Sequence, residues 1–481
     1  MKNGRIILKA ILENKSPMGI GSGRGDRSDR DVVTTEYTFD NNGVILPAER
    51  FLEGNKENIR QLPFIPATSF MGKVFRQFDP KVKKYWGESE VNASFIDCSD
   101  ILLTELPGGS LNTTEIRDGI RIDSSKGTVA QGAKFDYELL APGAKFGLTM
   151  LFRVEEEGLA NYDVALKIAS DIATVIEKGI DLGAKSTVGY GRIKGSATLY
   201  EIDFENPAHF QQWINNDLFQ KKKEKATVSL LLPHSDSFEI VATFKIKNSL
   251  IIRSYSNDPK APDSTHLKSG GKNILSGSSI KGALRGRAER ILNTIQTNQD
   301  KTETILAGLF GDVEKENGNK QKVKKDGYTV SSRVFVDEVL IKEVKEEIQT
   351  RIQIDRFTGG TVDSALIEEV PLFPVKDKVQ IKNFRIRVAD AKELDKGLML
   401  LLLKDLWTAD LSIGGEKAIG RGVLEGVSAT VFDGNATYTL LDDLKDSEKA
   451  TVLQSYVDAL HNRENDTDYQ ERIDKYKIKK L

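Results

Sequence analysis

Ser69, Lys73 and Arg76 cluster around Gly72 in Pro66-Ala67-Thr68-Ser69-Phe70-Met71-Gly72-Lys73, where a helix-forming stretch begins. Small and hydroxylic residues at a helix start, with cations one turn in, make a seat for phosphate. The free backbone N–H groups point at the anion and the helix dipole favours its charge. The arrangement returns as Ser276-Gly277-Ser278-Ser279-Ile280-Lys281-Gly282-Ala283, followed by Arg285 and Arg287. Ser69 and Ser278 or Ser279 are the expected N-caps. The nucleotide-binding pattern G-x-x-x-x-G-K-[ST] is absent.

A second loop also occurs twice. Leu182-Gly183-Ala184-Lys185-Ser186-Thr187-Val188-Gly189-Tyr190-Gly191-Arg192 returns as Ile413-Gly414-Gly415-Glu416-Lys417-Ala418-Ile419-Gly420-Arg421-Gly422. Its glycines let a sugar–phosphate backbone come close, and Lys185, Arg192, Lys417 and Arg421 would neutralise it. The loop follows a helix and precedes a strand, the reverse of a dinucleotide-binding turn. A tight glycine turn is the plain alternative. A third pair, Ile120-Arg121-Ile122-Asp123 and Gln353-Ile354-Asp355-Arg356, lies in alternating stretches that turn at Ser125-Lys126-Gly127 and Thr358-Gly359-Gly360. Each stretch reads as a β-hairpin, a shape able to wedge between stacked bases. All three pairs keep their order along the chain, so two copies of one domain are expected. A duplicated site fits a repetitive, polymeric ligand.

The elements that must position these loops repeat as well. Alternating strands open the copies at Arg5–Leu12 and Phe238–Ile246. Helices follow the serine turns, and strands near Phe146–Phe152 and Val379–Ile386 precede helices over 161–178 and 398–406. This order predicts an α+β fold with two tandem ferredoxin-like domains carrying inserted β-hairpins. The expected domains are 1–222 and 223–440, with a charged helical tail over 441–481 whose apolar stripe is Leu453, Tyr456 and Leu460. Glu314–Asp326 reads as a mobile charged loop.

The 481 residues include 69 basic and 71 acidic ones, for a net charge of −2. That balance argues against purely electrostatic binding, although a local basic groove remains compatible with it. A single cysteine, Cys98, excludes intramolecular disulfides and a cysteine-rich zinc site, and the four histidines are scattered. No apolar run is long enough to span a membrane, and the start lacks the form of a secretory signal. The expectation is a cytoplasmic protein with no membrane partner.

Pro66-Ala67-Thr68-Ser69-x-x-Gly72-Lys73, the Arg117-x-x-Ile120-Arg121-Ile122-Asp123 stretch, Leu309-Phe310-Gly311, Arg333-Val334-Phe335 and the closing glycine loops resemble the RAMP superfamily. Within it they are most similar to backbone subunits of type III CRISPR effector complexes, here as a fused pair. The resemblance implies RNA-recognition-motif-like cores that hold guide RNA by its phosphates through Ser69, Lys73, Arg76, Arg121, Lys185, Arg192, Ser279, Lys281, Arg285, Lys417 and Arg421. It implies hairpins that act as thumbs, each displacing one nucleotide of the guide–target duplex, while base pairing reads the sequence. The implied partners are guide RNA, complementary target RNA and sister subunits of the complex.

The resemblance also implies cleavage of target RNA by an aspartate in the loop before the serine turn. Copy one offers Asp31 and then Asp26; copy two offers Asp263 and then Asp258. Asp31 and Asp263 would hold a Mg²⁺ or other divalent cation that keeps most of its waters. His266 is a possible assistant. The competing expectations are a non-catalytic RNA scaffold and a guide-processing endoribonuclease; the latter would want a histidine near the glycine loop, and neither copy has one there. No Gly-Gly-Asp-Asp run is present, so no polymerase of that type is encoded.

Overall fold

The structure, a computed structural model, describes residues 2–22, 31–39, 45–47, 59–79, 82, 85, 94–109, 113–122, 129–156, 160–215, 222–225, 237–255, 258, 260–295, 299–313, 315–316, 319–323, 328–363, 365–440, 447–462 and 477–479. The chain forms two compact units. One comprises Met1–Arg121, Ala130–Ser186 and Tyr190–Pro233; the other comprises Ile122–Val129, Thr187–Gly189 and His234–Leu481.

The first unit is built on β1 (Gly4–Asn14), α1 (Ala67–Phe75), β2 (Ile96–Cys98), β3 (Thr114–Ile122), β4 (Val129–Leu140), β5 (Lys145–Val154), α2 (Tyr162–Lys178) and β6 (Arg192–Asp203). In its main sheet the strands lie in the order β6-β1-β5-β2. Relative to their order in the chain, that is fourth, first, third, second. β1 is antiparallel to both neighbours, with Leu8 opposite Leu199 on one side and Met150 on the other. Alternation places Ile6, Leu8, Ala10 and Leu12 on the buried face with Phe146, Leu148, Met150 and Phe152. Against that face pack Ile168, Ile172 and Ile176 of α2, one turn apart. Asn161 caps α2 by accepting the Val164 N–H at 3.1 Å. Lys222–Lys223, at the expected domain change, pairs with β6 and so extends the first sheet.

The second unit repeats the pattern with β7 (Ser237–Ile246), α3 (Gly277–Ile295), β8 (Val334–Val336), β9 (Gln349–Arg351), β10 (Ile367–Val370), β11 (Ile381–Ala389), α4 (Glu393–Trp407) and β12 (Leu424–Asp433). Its sheet runs β12-β7-β11-β8, again fourth, first, third, second, with Ala436–Thr439 added outside β12. Phe238, Ile240, Ala242 and Phe244 are buried with Phe384, Ile386 and Val388, under Leu398, Leu402 and Leu406 of α4. In each unit a hairpin, β3–β4 or β9–β10, is inserted between the second and third strands of the sheet.

Three local expectations change. Ser69 and Ser279 lie inside their helices, and neither is the cap. The first N–H of α1 is taken by Asp100, which accepts from Ala67 N at 2.8 Å. In α3 the capping hydroxyl is Ser276, which accepts the Ser279 N–H at 3.3 Å. In the stretch read as a mobile loop, Lys315–Glu316 pairs with Asn319–Val323. The tail contains α5 (Ser447–His461), which buries Leu453, Tyr456 and Leu460. Tyr456 Oη also donates to Asp433 at 2.6 Å, and an added Cβ on Gly397 of α4 would meet the Tyr456 carbonyl. Lys477–Lys479 adds a strand beside Tyr328–Val330, so the tail is not helical throughout.

Candidate nucleic-acid interface

The two glycine loops have one backbone conformation. Leu182 N–H donates to Gly191 O at 2.8 Å, and Ile413 N–H to Gly422 O at 2.9 Å. Ala184 N–H reaches Gly19 O at 2.8 Å, matched by Gly415 N–H to Ile251 O at 2.9 Å. Gly191 N–H reaches Pro17 O at 2.7 Å, matched by Gly422 N–H to Ser249 O at 2.8 Å. Gly191 has φ 81° and Gly422 φ 76°, and a Cβ on either would collide with the carbonyl of Leu182 or Ile413. These two glycines are therefore required by the turn's own backbone. Even the non-glycine positions agree: Lys185 and Glu416 correspond, with φ 58° and 56°.

The side chains on this shared frame have diverged. Lys185 is half-buried, its Nζ 3.4 Å from the Tyr137 ring centroid and 4.4 Å from that of Phe135. Tyr137 Oη and Tyr190 Oη are 3.2 Å apart. In the second loop Arg421 takes the place of Tyr190 and is 2% exposed. Its Nη1 lies 3.0 Å from Glu416 Oε2 and 3.5 Å from Glu369 Oε2, and its Nη2 donates to Gln349. Arg253 and Arg351 also pair with Glu369 and Glu416. Arg421, expected on phosphate, is thus the buried member of an ion cluster, because two carboxylates compensate its charge inside the fold. Arg192 is likewise engaged, with Asp181 at 3.2 Å and with Lys178 O, at the C-terminus of α2, at 2.8 Å. A cation there complements the helix dipole.

Around the serine turns, Lys281 donates to Ser332 Oγ at 2.7 Å, and burial together with Arg285 lowers its pKa to about 7. Arg285 donates to Gly311 O at 2.9 Å, and Arg287 pairs with Asp405 at 2.6 Å. Lys73 is half-buried, and burial and then Arg76 lower its pKa. Arg76 is exposed beside it. Lys417 is exposed, with its ammonium disfavoured by partial desolvation and by Arg290 of α3. Arg290 went unmentioned among the sequence candidates, although its place one turn beyond Arg287 on α3 could have flagged it. Among the described residues of the two repeated loops and their helices, the open cations are therefore Lys73 with Arg76, and Lys417 with Arg290. The Arg121 side chain lies outside the described residues.

The candidate aspartates fall at matching places. Val32 N–H, next to Asp31, donates to Glu138 Oε2 at 3.0 Å. Ser264 Oγ, next to Asp263, donates to Glu369 Oε1 at 3.1 Å. Glu138 and Glu369 correspond between the repeats, each on the return strand of its hairpin. Asp263 is exposed, and its Oδ2 accepts the Glu368 N–H at 2.8 Å. Asp31 is 6% exposed, which fits a structural carboxylate better than a hydrated metal ligand. Asp258 holds a turn, accepting the Lys260 N–H at 2.9 Å, and Asp26 lies outside the described residues. Among the described residues no three His, Cys, Asp or Glu gather as a metal cluster. His266 is buried, not a loop side chain: Ile252 N–H donates to Nδ1 at 3.2 Å, and Nε2 lies 2.8 Å from Ile274 O. Burial lowers its pKa to about 4, so it is neutral and structural.

The hairpin of the second unit ends in an ordered turn. Asp355 Oδ1 accepts from Phe357 N, Thr358 N and Thr358 Oγ1 at 2.9, 2.8 and 3.0 Å. Phe357 at the tip is 99% exposed, and Ile352 and Ile354, just beyond β9, are exposed as well.

A sequence model of the RAMP superfamily matches residues 11–194 and 243–425, one match in each repeat. The chain belongs to the RAMP superfamily. No curated protein matches it. Membership supports a CRISPR-associated, RNA-binding subunit that works in a multi-subunit complex, and some RAMP proteins are endoribonucleases. Among the described residues no helix is long and apolar enough to cross a membrane.

Proposed function

We propose that this RAMP protein is a fused pair of backbone subunits of a type III CRISPR effector complex, binding guide RNA and cutting complementary target RNA. The observation that carries cleavage is the shared placement of Asp31 and Asp263 beside the hairpin-base glutamates, with Asp263 open to solvent. Guide phosphates would lie along Lys73 and Arg76 in one repeat and Lys417 and Arg290 in the other. The hairpins would act as thumbs, with Phe357 as the stacking side chain of the second.

The donor set fits a loosely held cation. Asp263 is exposed and commits Oδ2 to the Glu368 N–H, so Oδ1 would be the atom offered to the cation. A single carboxylate suffices for Mg²⁺ that retains several waters. When bound, Mg²⁺ would neutralise charge at the scissile phosphate and favour attack by the neighbouring 2′-hydroxyl. Asp263 would orient the cation through its fixed carboxylate.

The test uses the assembled complex with guide and labelled complementary RNA, with Mg²⁺ or with EDTA. Asp263→Asn should abolish the cut made by the second unit, and EDTA should abolish it in the unaltered complex. Unchanged Mg²⁺-dependent cleavage by Asp263→Asn would overturn the site. A complex that binds target but never cuts would make the chain a scaffold.

A further inference from the structure

The ion cluster of the second unit touches the segment that holds Asp263. Glu369, 1% exposed, has Arg253 Nη2 at 2.8 Å from Oε1, pairs with Arg351 through Oε2, and lies 3.5 Å from Arg421. Glu416, on the glycine loop, binds Arg351, Arg253 and Arg421 in turn. The cluster thus joins four segments: Arg253, the hairpin strands β9 and β10, and the glycine loop. Two ties then run from β10 to the aspartate. Ser264 Oγ donates to Glu369 Oε1, and Glu368 N–H donates to Asp263 Oδ2. Ser264 and Glu369 are also direct partners in a parallel strand pair. With three guanidinium groups on two carboxylates, Glu369 is held from several directions in a partly dehydrated site, where charge-assisted bonds are strong and directional.

We infer that the Glu369–Arg351 pair is a positioning device that sets the Asp263 carboxylate for catalysis by fixing the hairpin base against the glycine loop. The inference rests on the reading of Asp263 as the cleaving residue. Arg351 is the member that spans both carboxylates from the hairpin itself. The first repeat has other side chains at the matching loop positions, with Lys185 over Tyr137 and Phe135 in place of Glu416 among arginines. The device therefore belongs to the second unit, and the two units should respond differently when it is altered.

The experiment compares Arg351→Ala, Arg351→Lys and Glu369→Gln in the full complex with guide RNA. Single-turnover cleavage is resolved by cut position, and hydrogen exchange is followed over residues 262–266 and 367–370. For Arg351→Ala we expect the second unit's cut to slow about tenfold or more, as a displaced catalytic group commonly does. Guide and target binding and any cut by the first unit should stay as they were. Exchange over both segments should rise, Glu369→Gln should act in the same direction, and Arg351→Lys should restore most of the rate and protection. Unchanged exchange in both Arg351→Ala and Glu369→Gln overturns the inference whatever the cleavage result. A loss of all cuts together with guide binding also overturns it, since the role would then be general stability. If the unaltered complex makes no second-unit cut, the reading of Asp263 fails, while the exchange data still decide whether the cluster fixes that segment.

Discussion

Arg421 and Lys417 sit four residues apart on one loop, and the structure gives them opposite roles. Arg421 has a side chain 3% exposed against Glu369 at 1% and Glu416 at 11%. Removing one partner of a buried ion pair costs about 3–5 kcal/mol. Arg253 and Arg351 remain to compensate the two carboxylates, so Arg421→Ala should fall near the lower end, about 3 kcal/mol. Lys417 is exposed and has no ion pair among the described residues, so Lys417→Ala should change stability by no more than about 0.5 kcal/mol. RNA affinity should show the reverse. Each lost phosphate contact lowers the slope of log affinity against log salt by about 0.7–0.9. Lys417→Ala should lose roughly one such unit, and Arg421→Ala none at a temperature where it remains folded. Urea unfolding and filter binding across a KCl series measure the two effects. Arg421→Ala with unaltered stability and a shallower salt slope would refute the reasoning, because the arginine would then be on phosphate.

The other predictions concern features set by burial or exposure. His266, held neutral with a pKa near 4 against about 6.5 when unfolded, should make the second unit lose stability as pH falls from 6.5 toward 4, by about 3 kcal/mol in all and about 2 kcal/mol by pH 5. With Trp407 as the only tryptophan left, urea midpoints at pH 7.5 and 5 should show this loss, and His266→Gln should remove most of it; parallel pH profiles would count against it. Phe357→Ala should leave stability unchanged but cost about 1–3 kcal/mol of stacking, read as altered fluorescence of a 2-aminopurine at the displaced nucleotide; identical spectra would remove Phe357 from that role. Arg333 and Asp395, 1% and 0% exposed and 2.7 Å apart, should make Arg333→Ala cost about 3–5 kcal/mol in urea unfolding, and Arg333→Met with Asp395→Leu much less.

The duplication was legible because backbone geometry constrains sequence more tightly than side-chain chemistry does here. A glycine at 191 and 422 is demanded by a carbonyl that a Cβ would strike, so the G-x-G pattern survives in both copies and betrays the repeat. The alternating strands and the i, i+4 stripes of α2 and α4 were visible for the same kind of reason: burial on one face leaves a periodic record. The same record led to the expectation of α+β, ferredoxin-like units, which is the fold of RAMP domains. The roles of the cations were not legible. A run such as Gly420-Arg421-Gly422 shows that an arginine is present, but not that Glu369, far along the chain, folds against it. Arg192, Arg285 and Arg287 were hidden in the same way, by partners set by tertiary packing alone.

This asymmetry changes how the glycine–basic loops bear on function. Their glycines are explained by turn closure and several of their cations by internal partners, so the repeated motif by itself is weak support for a phosphate seat. What survives is smaller and better defined: Lys73 with Arg76 at the C-terminal end of α1, and Lys417 of the glycine loop with Arg290 in the second half of α3, cations that nothing described neutralises fully. Conversely, the aspartate loops, whose sequences have drifted apart, keep one shared anchor, since Val32 through its N–H and Ser264 through its hydroxyl both reach the corresponding glutamates Glu138 and Glu369. Drift in a loop whose anchor is preserved is the pattern expected when position matters more than local sequence. Asp263 keeps both the anchor and the exposure; Asp31 keeps only the anchor, so the second repeat is where cleavage should be sought first.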